Sequence, residues 1–451
     1  MIQPALSVPV YRIGLYTGIA IVVANMVGTG VFTSLGFQVL SIRSGFALLM
    51  LWLIGGVIAL CGALCYGELA AALPRSGGEY HYLSRIYHPA VGFLSGWVSA
   101  TVGFAAPTAL AAIALGRYVS TVWPEVHAGL LSLAAVVLIT AVHLISQRAG
   151  SRFQVVVTAL KVGLLLLFIG AGLVSEPQPL GFVPAASDWH QLLTPAFAVS
   201  LIYVSYAYSG WNAAVYIAGE VEQPQRNLPR TLLIGTALVA LLYVLLNYVF
   251  LRTTPLDTLA GQLEIGFLSA NQLFGVGIGQ MMGLVIALLL VSTVSSMIFA
   301  GPRIIQTMGE DLPALRWLAR RSRSGLPVRA TLFQSLLTVL FIVTATFEQV
   351  LVYAGFVLNL FTFLTVLGLF VLRWRQPNLP RPYRTWGYPL TPLLFLALNG
   401  WTLVFLLRDK FQESMLGLLT VAIGLLVYAV LTLVGRIRSR QTIGEASRSA
   451  E

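Results

Sequence analysis

Long apolar segments recur along the whole chain, and they constrain its fold more than any other feature. A helix of about 20 apolar residues crosses the hydrocarbon core of a bilayer, where every backbone polar group must be satisfied within the protein. We count twelve such segments, at residues 13–39, 45–69, 90–118, 127–146, 153–174, 194–219, 230–252, 275–300, 329–346, 349–373, 389–408 and 413–435. They predict an all-α polytopic membrane protein with 12 transmembrane helices.

The composition excludes most other classes of protein. Hydrophobic residues make up 57% of the 451 residues and charged residues only 10%, whereas an ordinary soluble domain carries about 25% charged residues. A soluble globule, a disordered chain and a disulfide scaffold are therefore excluded. The sequence has no P-loop, no cluster with metal-ligand spacing and no convincing nucleophile–base pair. We expect no enzyme activity, no metal and no cofactor.

The basic residues are distributed unevenly between the two sides of the predicted membrane. The chain has 27 Lys and Arg and a net charge of +11, and most of these residues fall in connections on the same side as the N-terminus. By the positive-inside rule, segment 1–12 and the polar tail 436–451 are both cytoplasmic, and we expect the tail to be disordered. A nucleic-acid surface would concentrate this charge on one soluble module. The distribution predicts a multi-pass protein of the cell membrane. Its partner is the lipid bilayer, and we expect it to bind no nucleic acid.

Two of the predicted spans are interrupted near their middles. Span one contains Gly28, Thr29 and Gly30, and span six contains Ser209 and Gly210. The two spans run in opposite directions, and each begins a group of five. This pattern predicts two inverted repeats, over 13–174 and 194–373, followed by an extra helix pair over 389–435.

The chemistry of such interruptions suits a zwitterion. A second half-helix exposes amide N–H groups that, with the helix dipole and the Thr29 hydroxyl, attract a carboxylate. The first half-helices end in carbonyl groups, at Met26, Tyr206 and Ser209, that can accept hydrogen bonds from an ammonium group. The alternative is that the small residues only allow close helix packing. The matching positions of the two interruptions favour an amino-acid site.

Lys161 is the one Lys or Arg placed near the middle of a span; the arginines within the span bounds lie at span ends. A charged lysine there costs at least about 2.5–3.5 kcal/mol, so its side chain must face the protein interior. We interpret it as a substitute for a coupling cation, either fixed or titrating, and the alternative is a structural lysine. Thr293 and Ser296 in span eight are its candidate partners, although membrane Ser and Thr often bond only to their own helix.

Several further segments have simpler interpretations. Residues 78–88 suggest a short cytoplasmic helix at the membrane interface. Residues 255–274 suggest either an external lid or a loop that touches lipid headgroups. We interpret Glu68 and Glu220 as structural partners of arginines, and His143 as a core histidine.

In several short motifs the chain resembles the amino acid–polyamine–organocation (APC) superfamily of permeases, and within it the bacterial amino-acid permeases related to the L-type transporters. The resemblance covers about spans one to ten. It is carried by residues 27–32 (Val-Gly-Thr-Gly-Val-Phe), 67–70 (Gly-Glu-Leu-Ala), 74–80 (Pro-Arg-Ser-Gly-Gly-Glu-Tyr), 206–212 (Tyr-Ala-Tyr-Ser-Gly-Trp-Asn), 220 with 227–230 (Glu, then Asn-Leu-Pro-Arg) and 300–303 (Ala-Gly-Pro-Arg).

The resemblance implies a 5+5 inverted repeat of the LeuT type with broken helices 1 and 6. The substrate-binding residues it implies line the two breaks: Met26, Val27, Gly28, Thr29, Gly30, Tyr206, Ala207, Ser209 and Gly210. Tyr206 would be the aromatic gate over the substrate, with Trp211 beside it, and Lys161 would replace a sodium site.

Two departures from the family pattern qualify the prediction. Ser209 stands where the L-type pattern has Gly, which would shrink or polarise the pocket. The connection between spans three and four has no Cys, so we expect no disulfide-linked heavy subunit.

These observations predict sodium-independent transport of amino acids by alternating access. Neutral L-amino acids are favoured, since the predicted pocket has no Asp or Glu. Exchange is slightly favoured over proton symport, with protons as the possible coupling ion. The alternatives are an amino-acid-sensing receptor that does not transport, and a carrier of polyamines or cationic amino acids.

Overall fold

The computed structural model describes residues 13–145, 150–312, 315–320, 322 and 327–448. Their helices, in chain order, are α1 Leu15–Met26, α2 Gly30–Ser41, α3 Gly45–Ala72, α4 Gly78–Ile86, α5 Pro89–Val98, α6 Ala105–Ser120, α7 Ala128–Ile145, α8 Gly150–Val174, α9 Ala186–Gln191, α10 Pro195–Tyr208, α11 Pro224–Thr253, α12 Leu256–Leu259, α13 Ile265–Phe274, α14 Val276–Asp311, α15 Arg316–Ala319, α16 Val328–Thr344, α17 Phe347–Arg375, α18 Leu390–Asp409 and α19 Phe411–Arg448. A π-helical turn, Ser99–Gly103, joins α5 to α6, and a 3₁₀ helix, Ala213–Glu220, follows α10.

The all-α polytopic prediction is confirmed. Among the described residues, nine helices are long and apolar enough to cross a membrane, or ten if the bent pair α1 and α2 counts as one span. The segments predicted as spans six and nine are shorter, because α10 gives way to the 3₁₀ helix and α16 has 17 residues. The count of twelve and the division into inverted repeats remain predictions.

Local sequence fixes where several of these helices begin. The hydroxyls of Ser44 and Thr194 each accept a hydrogen bond from a backbone N–H in the first turn of α3 and α10. Thr346 and Gln349 form a reciprocal capping box at the start of α17. Such caps satisfy amide groups that have no partner inside the helix. α2 has no such cap, and its first residue follows an unwound segment.

A buried ionic cluster ties three elements together at one end of the molecule. The carboxylate of Glu68, on α3, accepts hydrogen bonds from Arg373 Nε and Nη2 at 2.9 and 2.6 Å. It also accepts one from the Thr385 amide at 2.7 Å, and Arg381 Nε lies 3.4 Å away. The structural role predicted for Glu68 is confirmed, with partners more than 300 positions along the chain.

The segment predicted as a lid, residues 255–274, forms α12 and α13 and packs on α2. The Gly261 amide donates to the Gly36 carbonyl at 2.9 Å. A Cβ on Gly36 would lie 2.0 Å from the Gln262 carbonyl oxygen, so only glycine allows this approach. Leu259 and Ile265 are buried. We call residues 255–274 the lid segment below.

One expectation about the termini was wrong. The tail expected to be disordered continues α19 as helix through Arg448, because extending an existing helix costs far less than nucleating one. The short helix predicted within residues 78–88 is present as α4, and Tyr82, Leu83 and Ile86 on it are buried within the protein. Segment 1–12 and residues 449–451 lie outside the described residues.

Candidate functional site

The first interruption lies between α1 and α2, which meet at a bend of 40°. α1 ends at Met26, and the Gly28 amide turns back to the Met26 carbonyl at 2.8 Å. Because residues 27–29 are unwound, the first amide groups of α2 have no helical turn in front of them to supply carbonyl acceptors. This helix N-terminus lies inside the protein and carries the positive end of the helix dipole.

The second interruption follows α10. The Ser209 amide bonds back to the Tyr206 carbonyl at 3.0 Å, and Gly210 adopts a φ of +96° that side chains rarely tolerate. The 3₁₀ helix then runs to the end at which α1 begins. There the Ile13 amide donates to the Glu220 carbonyl at 2.8 Å. The two interrupted spans therefore run in opposite directions, as predicted.

The two interruptions pack directly against each other. A Cβ on Gly30 would lie 2.4 Å from the Ala207 Cα, and a Cβ on Gly210 would lie 2.9 Å from the Asn25 carbonyl carbon. Backbone meets backbone at both places, so neither glycine can carry a side chain unless the helices separate. Close packing is thus one role of these glycines, and it also forms the wall of a cavity.

A cavity of about 610 Å³ surrounds this crossing, a size typical of small-molecule sites. Its lining includes every residue predicted to bind substrate except Val27, which is fully buried. The cavity extends along α1 and reaches exposed residues, Thr17 and Glu220, at the end where α1 begins.

Aromatic rings close the protein on the other side of the crossing. Phe37 on α2 lies between Tyr203 and Phe347, with ring centroids 5.5 and 5.9 Å apart and the rings nearly parallel. Tyr203 and Phe347 are buried. We call these three residues the aromatic stack. With the lid segment beyond it, the stack leaves the cavity open at one end.

The polar groups at the crossing are unequally available to a ligand. The Thr29 hydroxyl is buried in the cavity wall, and the Tyr206 hydroxyl is the side-chain group that interacts with it. The Met26 carbonyl already accepts two hydrogen bonds, from the Gly28 amide and from the Tyr243 hydroxyl at 2.6 Å. A carbonyl oxygen has two lone pairs, so in this state Met26 is a poor acceptor for an ammonium group. The Tyr206 carbonyl accepts one bond and keeps a lone pair free for a ligand.

The two residues predicted as gates have different surroundings. Tyr206 lines the cavity at the crossing and is 7% exposed. Trp211 also lines the cavity, but it packs edge to face on Tyr66 of α3, with centroids 4.7 Å apart. It also contacts Gly62, where a Cβ would lie 2.8 Å from the Trp211 ring. Tyr206 is therefore the better placed of the two to cover a ligand.

Lys161, on α8, lies next to the first interruption. Its side chain is almost fully buried, and Nζ donates to the Thr293 hydroxyl at 2.9 Å. The Thr293 methyl is 3.7 Å from the Cβ position of Gly28. The predicted pairing of Lys161 with Thr293 is present, whereas the Ser296 hydroxyl donates to the Ser292 carbonyl at 2.7 Å.

The cavity wall also contains ionisable residues that the sequence analysis did not place there. They are Glu79, Glu220, Arg303 and His143, the last bonded to Ser295 at 2.8 Å. The argument that the pocket has no acidic residue is therefore wrong. Glu220 interacts electrostatically with Arg303.

Glu79 is buried at the start of α4. Its Oε1 accepts hydrogen bonds from the Tyr66 hydroxyl at 2.6 Å and from Asn212 Nδ2 at 3.1 Å. Burial raises the pKa of Glu79 to about 7, and these two hydrogen bonds oppose the effect. A signal for this residue was present in the sequence. Glu79, Tyr82, Leu83 and Ile86 have the i, i+3, i+4, i+7 spacing of one helix face, which places an acid on a buried face.

Comparison with known proteins identifies relatives over nearly the whole chain. The model of a family described as amino acid permease matches residues 13–433. The chain is 30% identical over 435 residues to large neutral amino acids transporter small subunit 2 of Mus musculus, an alignment covering 92% of this chain and 80% of that protein. It is also 30% identical over 384 residues to b(0,+)-type amino acid transporter 1 of Mus musculus, covering 83% of this chain and 78% of that protein.

Proposed function

We propose that this chain, which belongs to the amino acid permease family and is an amino acid transporter of the membrane, carries neutral L-amino acids by alternating access without sodium. The observation that supports this most is the meeting of two helix interruptions in one cavity. There the N-terminus of α2 and the buried Thr29 hydroxyl supply donors for a carboxylate. The free lone pair of the Tyr206 carbonyl, with the Ser209 carbonyl beside it, supplies acceptors for the ammonium group.

Sodium independence is supported by Lys161. Its ammonium group is held by Thr293, whose methyl lies against the Cβ position of Gly28 in the first interruption. A positive charge on Lys161 beside the unwound segment, fixed or titrating, would supply what a bound cation otherwise supplies. We favour exchange of amino acids over proton symport as the mode of transport.

We propose that both termini are cytoplasmic, in the cell membrane, as the distribution of basic residues predicts. The end of the cavity beside Thr17 and Glu220 then faces the cytoplasm, and the aromatic stack and lid segment lie on the outer side. The structure would thus correspond to the inward-facing state of the transport cycle.

We also propose that the chain has no disulfide-linked heavy subunit, although one relative is named as a small subunit. The sequence contains two cysteines, Cys61 and Cys65. Both are buried within α3 and are free. A disulfide to another chain requires an accessible sulfur. The protein should migrate identically in reducing and non-reducing gels.

Cationic amino acids or polyamines are a second candidate substrate class, because Glu79 and Glu220 line the cavity. Their charges are partly engaged within the protein, Glu79 by two hydrogen-bond donors and Glu220 by Arg303. This engagement favours the neutral substrates.

Uptake into liposomes tests these proposals together. The reconstituted full chain is given labelled alanine, leucine, lysine, arginine or putrescine, with and without internal amino acid, a sodium gradient or a pH gradient. Uptake of neutral amino acids that needs internal substrate, but not sodium, is expected. Uptake restricted to the cationic probes would overturn the proposed substrate class. Absence of any uptake would contradict transport and favour the alternative of an amino-acid-sensing receptor.

A pair of threonine variants tests the carboxylate site. Thr29→Val removes the hydroxyl from the cavity and should weaken substrate binding about tenfold or more, since a hydrogen bond to a charged group contributes about 1.5–3 kcal/mol. Thr33→Val is the matched control, because the Thr33 hydroxyl is buried one turn further along α2 and donates to the Thr29 carbonyl at 3.1 Å. Equal affinities of the two variants would contradict the assignment.

A further inference from the structure

Glu79 occupies an unusual position for a carboxylate. It is 4% exposed, at the first turn of α4, and yet it belongs to the cavity lining. The chain reaches this position through Gly77 and Gly78, both with positive φ. A Cβ on Gly78 would lie 2.7 Å from the Tyr216 ring. The turn into α4 therefore positions the carboxylate tightly against the 3₁₀ helix that follows the second interruption.

The hydrogen bonds of Glu79 join the elements that surround the cavity. Tyr66 belongs to α3, and Asn212 lies two residues beyond Gly210, in the unwound segment after α10. Both partners are uncharged donors. They stabilise the carboxylate form, but neither replaces the positive charge that a buried carboxylate normally needs.

The other ionisable groups near Glu79 do not supply that charge. Tyr66 on α3, Tyr82 on α4 and Tyr216 on the 3₁₀ helix interact with it electrostatically and are neutral at physiological pH. The segment 89–103, which forms α5 and the π-helical turn, contains no ionisable side chain.

The arginines of α17 act elsewhere. Arg373 is engaged by Glu68. Arg375 donates to the carbonyl of Ile86, at the other end of α4. Further along the cavity, Arg303 interacts with Glu220. The proton affinity of Glu79 is thus set by burial and by two neutral donors.

We propose that Glu79 is a proton-binding site of the substrate cavity, at which protonation and the binding of a neutral amino acid favour each other. An amino acid that fills the cavity displaces water from beside the carboxylate, which disfavours its charged form. The substrate carboxylate has the same effect through like-charge repulsion. By linkage, protonation of Glu79 must then strengthen substrate binding by the same factor.

The sign of the effect depends on the substrate class. If the bound amino acid has a cationic side chain beside Glu79, that charge favours the carboxylate form, and Glu79 should release a proton on binding. If the bound amino acid is neutral, Glu79 should take up a proton. The inference rests on the proposed function, since it concerns the same cavity. It makes exchange sensitive to pH without requiring net movement of protons.

The test measures leucine binding to the purified full chain at about pH 5.5 and about pH 8.5, on either side of the pKa of Glu79 near 7. Affinity should fall by about tenfold between these values, if filling the cavity shifts the proton affinity by about one pH unit. Proton uptake on binding is followed in parallel with an indicator dye in weak buffer. Glu79→Gln should lose this tenfold change and the accompanying proton uptake, whereas any contribution of His143 or Lys161 stays the same in both proteins.

Glu264→Gln is the matched control, because Glu264 is a largely buried carboxylate outside this cavity, 3.1 Å from Arg117 Nε. It should keep the pH dependence. Persistence of the pH dependence in Glu79→Gln, or proton release on leucine binding, would overturn the proposal. Failure of the unmodified chain to bind or transport any amino acid at either pH would instead count against the proposed function.

Tyr66→Phe provides a second variant should Glu79→Gln not fold. It keeps the ring that packs against Trp211 and removes the donor to Glu79. Loss of that donor disfavours the carboxylate, so the pH at which binding weakens should move upward. An unchanged or lower midpoint would contradict the role of Glu79.

Discussion

Substitution of Gly30 by alanine tests the crossing of the two interrupted spans. The new Cβ would lie 2.4 Å from the Ala207 Cα and 2.7 Å from its Cβ. Carbon atoms in contact are about 3.5–4.0 Å apart, so α2 and α10 must separate by about 1 Å at this point. The obstructing atoms are mostly backbone and cannot rotate away.

The cost of this separation can be converted into affinity. Overpacking of a tight interior typically costs about 1–3 kcal/mol, and every 1.4 kcal/mol corresponds to a tenfold change in an equilibrium constant. Gly30 belongs to the helix N-terminus that is proposed to bind the carboxylate. We therefore expect Gly30→Ala to weaken substrate binding by about 5- to 150-fold and to lower the thermal unfolding temperature.

Gly170→Ala is the matched control. Gly170 also lies in a membrane helix, α8, but a Cβ there meets no atom within 4 Å. Alanine in place of an unconstrained helical glycine stabilises by roughly 0.5–1 kcal/mol, so binding and unfolding temperature should be equal to those of the unmodified chain or slightly higher. The assay is leucine binding and liposome uptake at matched amounts of folded protein. Wild-type affinity in Gly30→Ala would refute the close crossing as the basis of the site.

Three further substitutions address other contacts of the site and the fold. Lys161→Met should reduce uptake at least tenfold with little loss of folded protein, because it removes the charge held by Thr293; a wild-type uptake rate would leave Lys161 with a structural role only. Glu68→Ala should lower the free energy of unfolding by about 3–5 kcal/mol, measured by thermal or chemical denaturation, since it strands the charge of Arg373; a loss below about 1 kcal/mol would contradict the cluster's role. Tyr206→Phe should keep leucine affinity, whereas Tyr206→Ala should weaken it roughly tenfold or more, since the buried ring covers the cavity; equal affinities of these two variants would exclude the ring as a gate.

The fold and the interruptions could be predicted because their causes are local. Apolar segments of helical length predict the membrane helices, and the glycines at 28, 30 and 210 predict the interruptions. Each prediction needs only a few neighbouring residues. Lys161 could be assigned a polar partner on the same reasoning, since a lysine inside a span must be satisfied within the protein.

Other features depended on residues far apart in the chain. The Met26 carbonyl accepts a hydrogen bond from the Tyr243 hydroxyl on α11, 217 positions away. No local sequence pattern predicts that contact. Glu79 was overlooked because α4 was assigned to the membrane interface, and the tyrosines around the carboxylate come from three separate elements, α3, α4 and the 3₁₀ helix.

The contacts that close the protein beyond the crossing are individually weak. Each pair in the aromatic stack contributes about 0.5–1.5 kcal/mol beyond burial, and the hydrogen bond from the lid segment to Gly36 contributes a similar amount. The ion pair between Arg43 and Asp257 of the lid segment is exposed and contributes at most about 1 kcal/mol. Together these polar and aromatic contacts amount to a few kcal/mol, within the range that differential binding of a ligand can overcome, and the burial of Leu259 and Ile265 adds to them.

The Glu68 cluster differs, because its carboxylate is fully buried and accepts hydrogen bonds from three groups, the Arg373 guanidinium, the Thr385 amide and the Thr385 hydroxyl. Breaking such an ion pair leaves an uncompensated buried charge and costs several kcal/mol. We therefore expect alternating access to open the stack and lid segment while the contacts of α3 with Arg373 stay intact.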